Sequence, residues 1–383
     1  MDKVLIIANS YPYNGSNHFI FLKNLIDIFV DNDVKCTVIE TQSYLEIIRR
    51  KTQKRPYFRD VELSSQNKYR VYAPKTLLFP NILFLKKINQ HLLSKKVNKT
   101  IKKLALNYDF IYAHHLVYAG FLAYKVHKEF NKPYFLSFGE SNLKRLYNHF
   151  TLNEISQFLE KSSGIIVPSI SMLKELEEDQ VIAQSTKSIL VPNGVNQDVF
   201  YFYNKKKHIR QRYNVGDNDF VVIFVGSFTD RKGVMRLNQA LKEINNSKIK
   251  AVFIGKGKLE PDYKNIIFKG PHTQDVIADY LNLSDVFVLP TLNEGSCNAI
   301  IEAISCGLPV ISSNKPFNDD ILNNLYSIRV DSLSIEDIKK AILIVLNNEK
   351  LRKEMAYEAL KASKQFNVNV RANKVISFAQ INI

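Results

Sequence analysis

Short runs of β-branched and aromatic residues alternate with stretches of helical period along most of the chain. In the first half, residues 4–8, 35–39, 110–113, 134–138, 165–168 and 189–191 read as strands. In the second half, 220–225, 251–254, 266–268, 286–289, 309–312 and 327–330 do so. Strand runs followed by helical patterns are the mark of parallel βα units. The alternation pauses at Asn193-Gly194-Val195-Asn196-Gln197-Asp198 and the polar stretch 203–212. The pattern predicts two α/β domains, residues 1–196 and 197–366, with a C-terminal helix over 367–383 packing back on the first. Each domain is expected to be a doubly wound parallel sheet, binding ligands at the carboxyl ends of its strands in a cleft between the two sheets.

One helical pattern stands apart. Over residues 77–104, Ile88, Leu92, Leu93, Val97, Ile101 and Leu104 recur at helical spacing, while Lys86, Lys87, Lys95, Lys96, Lys99, Lys102 and Lys103 supply a basic face. The chain of 383 residues has 53 Lys and Arg against 37 Asp and Glu, a net charge of +16. Residues 41–105 hold 16 of the basic residues and only Glu46, Asp60 and Glu62 as acids, so 16 − 3 = +13 of the excess sits there. A basic amphipathic helix can lie on an anionic membrane, at about 1 kcal/mol per basic residue. The alternative is a solvated lysine face over a helix packed into the core. No motif for nucleic acid accompanies the charge, and none is expected as partner.

A hydrophobic share of 45% and a charged share of 23% exclude wholesale disorder. Cys36, Cys297 and Cys306 have no metal-type spacing, which argues against a disulfide framework or a zinc site and for a reducing compartment. The apolar run at residues 4–8 is too short for an export signal, and no stretch reaches the roughly 18 residues of a membrane span. A cytoplasmic location is expected, at most peripheral on the inner face of the membrane.

Candidate chemistry concentrates in the second half. Phe224-Val225-Gly226-Ser227 ends a strand, and Thr229-Asp230-Arg231-Lys232-Gly233 leads into a helix. Backbone N–H groups, a helix start and two cations suit a diphosphate, although the same residues also make plain turns. Gly255-Lys256-Gly257 completes no dinucleotide fingerprint. Residues 289–311 read as strand, loop, helix, Gly307 stop and new strand, with Glu294 in the loop and Glu302 among Ile300, Ile301, Ala303 and Ile304. A carboxylate in such apolar company needs a polar partner. A ribose diol is one candidate, and a neighbouring lysine is another. The N–H groups of Gly295, Ser296 and Cys297 would face a phosphate at the helix start.

These segments resemble the family 4 retaining glycosyltransferases of the GT-B fold, of the type that builds bacterial surface glycans. Glu294 and Glu302, with seven residues between them, match the family's paired-glutamate motif. Val225-Gly226 with Lys232-Gly233 matches its diphosphate motif, Pro192-Asn193-Gly194-Val195 its inter-domain segment, and Asp109 to His114 the strand that carries an active-site histidine. The resemblance implies two Rossmann-like domains, the first on the acceptor side and the second binding the donor. Glu294 would hold donor-sugar hydroxyls and Glu302 the ribose. Lys232 and Arg231 would neutralise the diphosphate, with Gly226, Ser227, Gly295, Ser296, Cys297 and Asn298 around it. His114, or adjacent His115, would touch the sugar near the reacting carbon. Gly15, Asn17, Gly139 and Glu140 would line the acceptor side.

Departures from the family pattern are specific. Ser227 stands where an arginine is usual, which leaves Arg231 to supply the second cation. Phe138-Gly139 replaces a common His-Gly pair, and Asn318-Asp319-Asp320 replaces a glycine-rich turn, where two acids would read the acceptor or cap a helix starting near Ile321. Cys297 reads as a small buried filler rather than a reactive thiol.

The expected reaction is transfer of a sugar from a nucleotide diphosphate sugar, with uracil the favoured base, to a hydroxyl of a glycan or lipid-linked acceptor, with anomeric configuration retained. Fixed cations at the diphosphate make a divalent metal unnecessary, and no cofactor is expected. Competing readings are a nucleotide-sugar epimerase or hydrolase on the same scaffold, and a basic membrane- or nucleic-acid-binding protein without transfer activity.

Overall fold

The computed structural model describes residues 2–13, 19–44, 55–79, 83–139, 143–183 and 185–383. The chain divides into two compact units, Met1–Val191 with Arg371–Ile383, and Pro192–Val370.

The first unit contains β1 (Lys3–Ala8), β2 (Lys35–Glu40), β3 (Gln42–Ser43), β4 (Phe58–Glu62), β5 (Lys68–Tyr72), β6 (Lys75–Thr76), β7 (Phe110–His114), β8 (Tyr134–Ser137), β9 (Gly164–Val167) and β10 (Ser188–Leu190). Eight of these form one sheet in the order β10-β9-β8-β7-β1-β2-β5-β4, and β3 pairs with β6. In β1, Val4, Ile6 and Ala8 enter one apolar cluster with Leu22, Leu25 and Phe29. Leu5 and Ile7 enter another, with Leu93, Val97 and Leu122. A strand covered on both faces must be apolar at successive positions, so it reads as a continuous run rather than an alternation.

The sheet is not wholly parallel as expected. β4 and β5 form an antiparallel hairpin at its edge, with Asp60 opposite Arg70 and joined to it by two hydrogen bonds of 2.5 and 2.9 Å. Charged residues on an exposed edge discourage pairing with another chain. They also dilute the apolar pattern, which hid both strands from the sequence reading.

The lysine-bearing helix forms over Leu83–Lys103, but its apolar stripe is already used. Leu93, Val97 and Ile101 are buried in the unit's core with residues of the helix Phe121–Phe130. That stripe is therefore closed to a bilayer, which corrects the picture of the helix lying apolar face down on a membrane. Its outward side carries lysines together with Ile88 and His91: Lys87 pairs with Glu154 and Lys102 with Glu129, while Lys95 and Lys99 are exposed. Among the described residues, no helix is long and apolar enough to cross a membrane.

The C-terminal helix Val368–Ile381 contributes Ala372, Val375 and Ala379 to the first unit's core. Its buried Arg371 donates to the carbonyl of Val191. One hydrogen bond thus ties the two places where the chain passes between units.

The second unit contains β11 (Phe220–Val225), β12 (Ile249–Ile254), β13 (Ile266–Gly270), β14 (Val286–Leu289), β15 (Val310–Ser313) and β16 (Ser327–Val330), all parallel, in the order β13-β12-β11-β14-β15-β16. Each large sheet has a point where strand order reverses, between β1 and β7 in the first and between β11 and β14 in the second. Crevices for ligands form at the carboxyl ends of such strand pairs.

Leu93→Ala should lower stability by about 2–4 kcal/mol in denaturant unfolding, whereas Lys95→Gln with Lys99→Gln should change it by less than about 1 kcal/mol. Equal effects would mean that the helix is not anchored by its apolar stripe.

Candidate functional site

In the second unit the loops after β11 and β14 meet across the point of strand reversal. The first passes through Gly226 and Ser227 into a short turn, Asp230–Lys232, and then the helix Val234–Ile244. The second runs from Pro290 to Cys297 and opens the helix Asn298–Ser305. The N–H of Leu292 donates to the carbonyl of Arg231 at 2.8 Å, and Thr291 Oγ1 lies 3.2 Å from the same carbonyl. Gly233 has φ 77°, and a Cβ there would stand 2.3 Å from the carbonyl oxygen of Pro290. Only glycine fits both the left-handed backbone and the approach of the second loop.

Gly255-Lys256-Gly257, which completes no dinucleotide fingerprint, has a packing role. A Cβ on Gly255 would meet the carbonyl oxygen of Gly226 at 1.9 Å, so the loop after β12 lies directly against the loop after β11.

These contacts bring three predicted residues together. Glu294, with a side chain 9% exposed, pairs with Lys232 and lies 3.2 Å from Arg231 Nη1; Thr291 Oγ1 donates to it at 2.9 Å. Burial works against a charge on Lys232, but Cys297 and Glu294 beside it hold its pKa above the ordinary lysine value.

Glu302 differs sharply. Its helix neighbours Ile300, Ile301, Ala303 and Ile304 are all buried, and no hydrogen bond or ion pair from the described residues reaches its carboxylate. Neither lysine pairing nor any other protein contact supplies the partner that its surroundings require. Burial pushes its pKa up to about 7, with Lys232 pulling in the other direction.

The start of the Asn298–Ser305 helix is likewise open. Its N-cap, Cys297, supplies no side-chain cap, and the buried Oδ1 of Asn298 has no hydrogen-bond partner among the described residues. Cys297 is buried, and burial pushes its thiol up to about 11, so it fills space rather than reacts. Asn193 fixes this turn: its N–H donates to Ser296 Oγ and its Nδ2 to the Ser296 carbonyl, both at 3.0 Å. Sequence reasoning quoted Asn193 only as part of an inter-domain segment. Its pairing with a residue 103 positions away is a tertiary contact that no local pattern displays.

Ser227 is exposed. The helix expected near Ile321 does not form. Instead Asn318 is buried and donates to the carbonyl of Ser313 at 2.9 Å, while Asp319 pairs with Arg329 at 2.8 Å. With Asp319 drawn to Arg329, the segment is held as a short turn, Pro316–Asn318, rather than as the cap of a helix.

In the first unit His114 ends β7, at the point of reversal beside β1. It is buried; Tyr112 Oη lies 3.1 Å from Nδ1, and Nε2 has no partner among the described residues. Burial, then His115 and Arg371, lower its pKa well below the ordinary value, so the ring is neutral. Arg371 also bonds to Tyr112. A guanidinium can only donate, so the phenol proton goes either to Nδ1 of His114 or to Ser137, which also bonds to the phenol. His115 follows at φ 69° and is less buried. Its ring occupies the space beside Gly139, where a Cβ would come within 2.3 Å of Cε1. Gly15, Asn17 and Glu140 lie outside the described residues. No cluster of three or more His, Cys, Asp or Glu placed to hold a metal ion occurs among the described residues.

Because the folded-state pKa of Glu302 is raised, its protonated form is the one that folding favours. Stability should therefore be complete below the ordinary carboxylate range and fall as pH rises toward about 7. The loss is expected to be on the order of 2 kcal/mol after allowing for partial solvent access. Glu302→Gln should flatten thermal stability between roughly pH 5 and 7.5, and an unchanged pH profile would place the raised pKa elsewhere.

Comparison with known proteins follows this geometry. Residues 205–362 match the family model "Glycosyl transferases group 1". The chain is 24% identical over 381 residues to the putative teichuronic acid biosynthesis glycosyltransferase TuaC of Bacillus subtilis, covering 97% of this chain and 96% of that protein. It is 29% identical over 219 residues to the UDP-Gal:alpha-D-GlcNAc-diphosphoundecaprenol alpha-1,3-galactosyltransferase of Escherichia coli, covering 53% of this chain and 56% of that one. Among solved structures, sucrose-phosphate synthase from Thermosynechococcus elongatus superposes with a TM-score of 0.81 at 15% identity, over 100% of this chain and 99% of that one. Anabaena Alr3699/HepE in complex with UDP superposes with a TM-score of 0.74 at 15% identity, over 99% of this chain and 100% of that one. The fold is that of the GT-B glycosyltransferases, and residues 205–362 form a group 1 glycosyltransferase domain within it.

Proposed function

We propose that the chain transfers a sugar from a nucleotide diphosphate sugar, with UDP favoured, to a hydroxyl of a glycan or lipid-linked acceptor, with retention of anomeric configuration. In this reading the product is a surface polysaccharide or its precursor. Support for the donor comes from the UDP bound in the Anabaena neighbour. Support for the acceptor comes from the teichuronic acid and diphosphoundecaprenol named for two relatives.

The observation that carries the proposal is the contrast between two carboxylates on adjoining elements. Glu294 is saturated by Lys232 and Arg231, while Glu302, eight residues on, is half-buried among apolar neighbours and has no partner among the described residues. A ribose diol supplies the two donors that Glu302 lacks. The diphosphate then falls to the open helix start at Asn298 and to Lys232 and Arg231.

In the reaction, the bond from the sugar's anomeric carbon to the diphosphate oxygen breaks and its electron pair leaves with the diphosphate. The acceptor oxygen takes its place on the same face, and the acceptor's proton is released. Negative charge grows on the leaving group, so fixed cations and helix N–H groups should make the largest catalytic contribution. In the first unit, the neutral His114, whose Nε2 has no partner among the described residues, is suited to meet a sugar hydroxyl. The second unit acts as the donor domain and the first as the acceptor domain.

Lys232→Ala should reduce kcat by roughly 10²–10³-fold without unfolding the chain, and a near-normal rate would sink the reading. Transfer should persist in excess EDTA; its loss would assign a metal to the reaction. Affinity for UDP-glucose should rise with pH through about 7 as Glu302 ionises, and Glu302→Gln should abolish that rise. Release of nucleotide at the same rate with and without acceptor would favour a hydrolase instead.

A further inference from the structure

The first unit holds a second convergence of cations, inside the segment that carries most of the excess charge but away from the lysine helix. β2 ends in Glu40, whose carboxylate is fully buried. The N–H of Tyr11 donates to its Oε2 at 2.9 Å, Arg55 Nη1 pairs with the same oxygen, and Arg59 Nη1 lies 2.7 Å from Oε1. Two guanidiniums share one carboxylate, leaving the cluster with a charge of +1. It stands at the carboxyl ends of β1 and β2, one strand from the point of reversal at β1 and β7, on the edge where open α/β sheets take ligands.

A purely structural ion cluster has its donors consumed by the protein, and the second unit provides one for comparison. There Lys206 and Arg210 share Asp285, and the remaining Arg210 donors go to carbonyls of Leu283, Asp217 and Asp219. At Glu40 the fit is looser. Arg59 Nη1 and Glu40 Oε1 are close but lack a well-aligned hydrogen bond, and neither finds another partner among the described residues. Arg55 Nη2 donates to Ser10 Oγ at 3.1 Å and Arg59 Nη2 to the Pro12 carbonyl at 3.2 Å. Each guanidinium carries five N–H donors, so most remain uncommitted.

The electrostatics agree. Burial, followed by repulsion from Arg59, lowers the pKa of Arg55, and burial lowers that of Arg59. An excess cation held partly out of water is costly until an anion joins it. Arg59 lies over the rings of Tyr11 and Tyr13, 5.7 and 5.1 Å from their centroids, which fixes the plane of its fork. The side chains of Arg55 and Arg59 are 22% and 14% exposed, so both are reachable from solvent.

We propose that Arg55 and Arg59 bind an oxyanion, a carboxylate or phosphate group carried by the acceptor, and that Glu40 holds the two guanidiniums in place for it. The oxyanion site stands on this geometry alone; its assignment to the acceptor rests on the transfer reading above. Planar forks pair with carboxylate or phosphate through parallel hydrogen bonds, and a neutral sugar gains no comparable interaction.

The test titrates the full chain, at fixed ionic strength, with glucuronic acid, with inorganic phosphate and with glucose, using calorimetry on the wild type, Arg55→Lys/Arg59→Lys and Lys232→Ala. One or both anions should bind and glucose should not. The double lysine variant should weaken anion binding about tenfold, because charge remains but the fork is lost, and Lys232→Ala should leave that arginine-dependent binding unchanged. The tighter anion then identifies the group as carboxylate or phosphate. Equal binding of glucose, an unchanged double variant, or loss confined to Lys232→Ala would each overturn the proposal, the last while leaving the transfer reading intact. Because arginine changes can destabilise the unit, Glu40→Gln gives an independent check. With the competing charge removed and an isosteric amide still in place, the guanidiniums should bind the anion several-fold more tightly; a lower melting temperature with no gain in affinity would mean that the arginines serve only to neutralise Glu40.

Discussion

The shared carboxylate of Glu294 is the interaction on which the second unit's chemistry depends. Lys232 and Arg231 come from the loop after β11, Glu294 comes from the loop after β14, and their pairing sits where the strand order of the sheet reverses. Held by a backbone bond from Leu292 to Arg231 and by the close approach at Gly233, the two loops cannot separate without breaking several contacts together. A largely buried lysine is tolerable only because a carboxylate faces it, and removing one partner of such a pair typically costs about 3–5 kcal/mol. In the proposed reading, the cations that would meet the diphosphate are kept in position by the Glu294 carboxylate.

A similar arrangement recurs in the first unit with different residues. Glu40 at the end of β2 gathers Arg55 and Arg59 as Glu294 gathers Lys232 and Arg231. In both places one carboxylate holds two cations at the carboxyl end of a parallel sheet, and each cluster retains a positive charge. Of the +13 in residues 41–105, the lysines of the helix Leu83–Lys103 remain on the surface, whereas Arg55 and Arg59 turn inward.

The parts of the fold legible in the sequence were those buried on both faces. β1, β7, β11 and β14 are continuous apolar runs because helices cover both sides of their sheets, and such runs stand out without any knowledge of the neighbours. The hairpin of β4 and β5 was not legible, because Arg59, Asp60, Lys68 and Arg70 on an edge look like loop residues until their cross-strand partners are known. The helix Leu83–Lys103 was legible as a helix, but its surroundings were not: a lysine face is the same whether the apolar stripe meets a bilayer or the core. For the candidate site, the motif spacing put Lys232 and Glu294 on adjoining elements, yet nothing in it showed that they pair with each other. Asn193 and Glu40 act through partners distant in sequence and left no local signal.

If Glu294 holds the cations for the diphosphate, removing its charge should release them. Calorimetric titration of UDP into the wild type and Glu294→Gln measures this directly, since UDP lacks the transferred sugar. Tighter binding of UDP by Glu294→Gln, together with slower sugar transfer, is the predicted result. Weaker binding of UDP by Glu294→Gln would mean that the Glu294 charge does not compete with the nucleotide for Lys232 and Arg231, and would contradict the account.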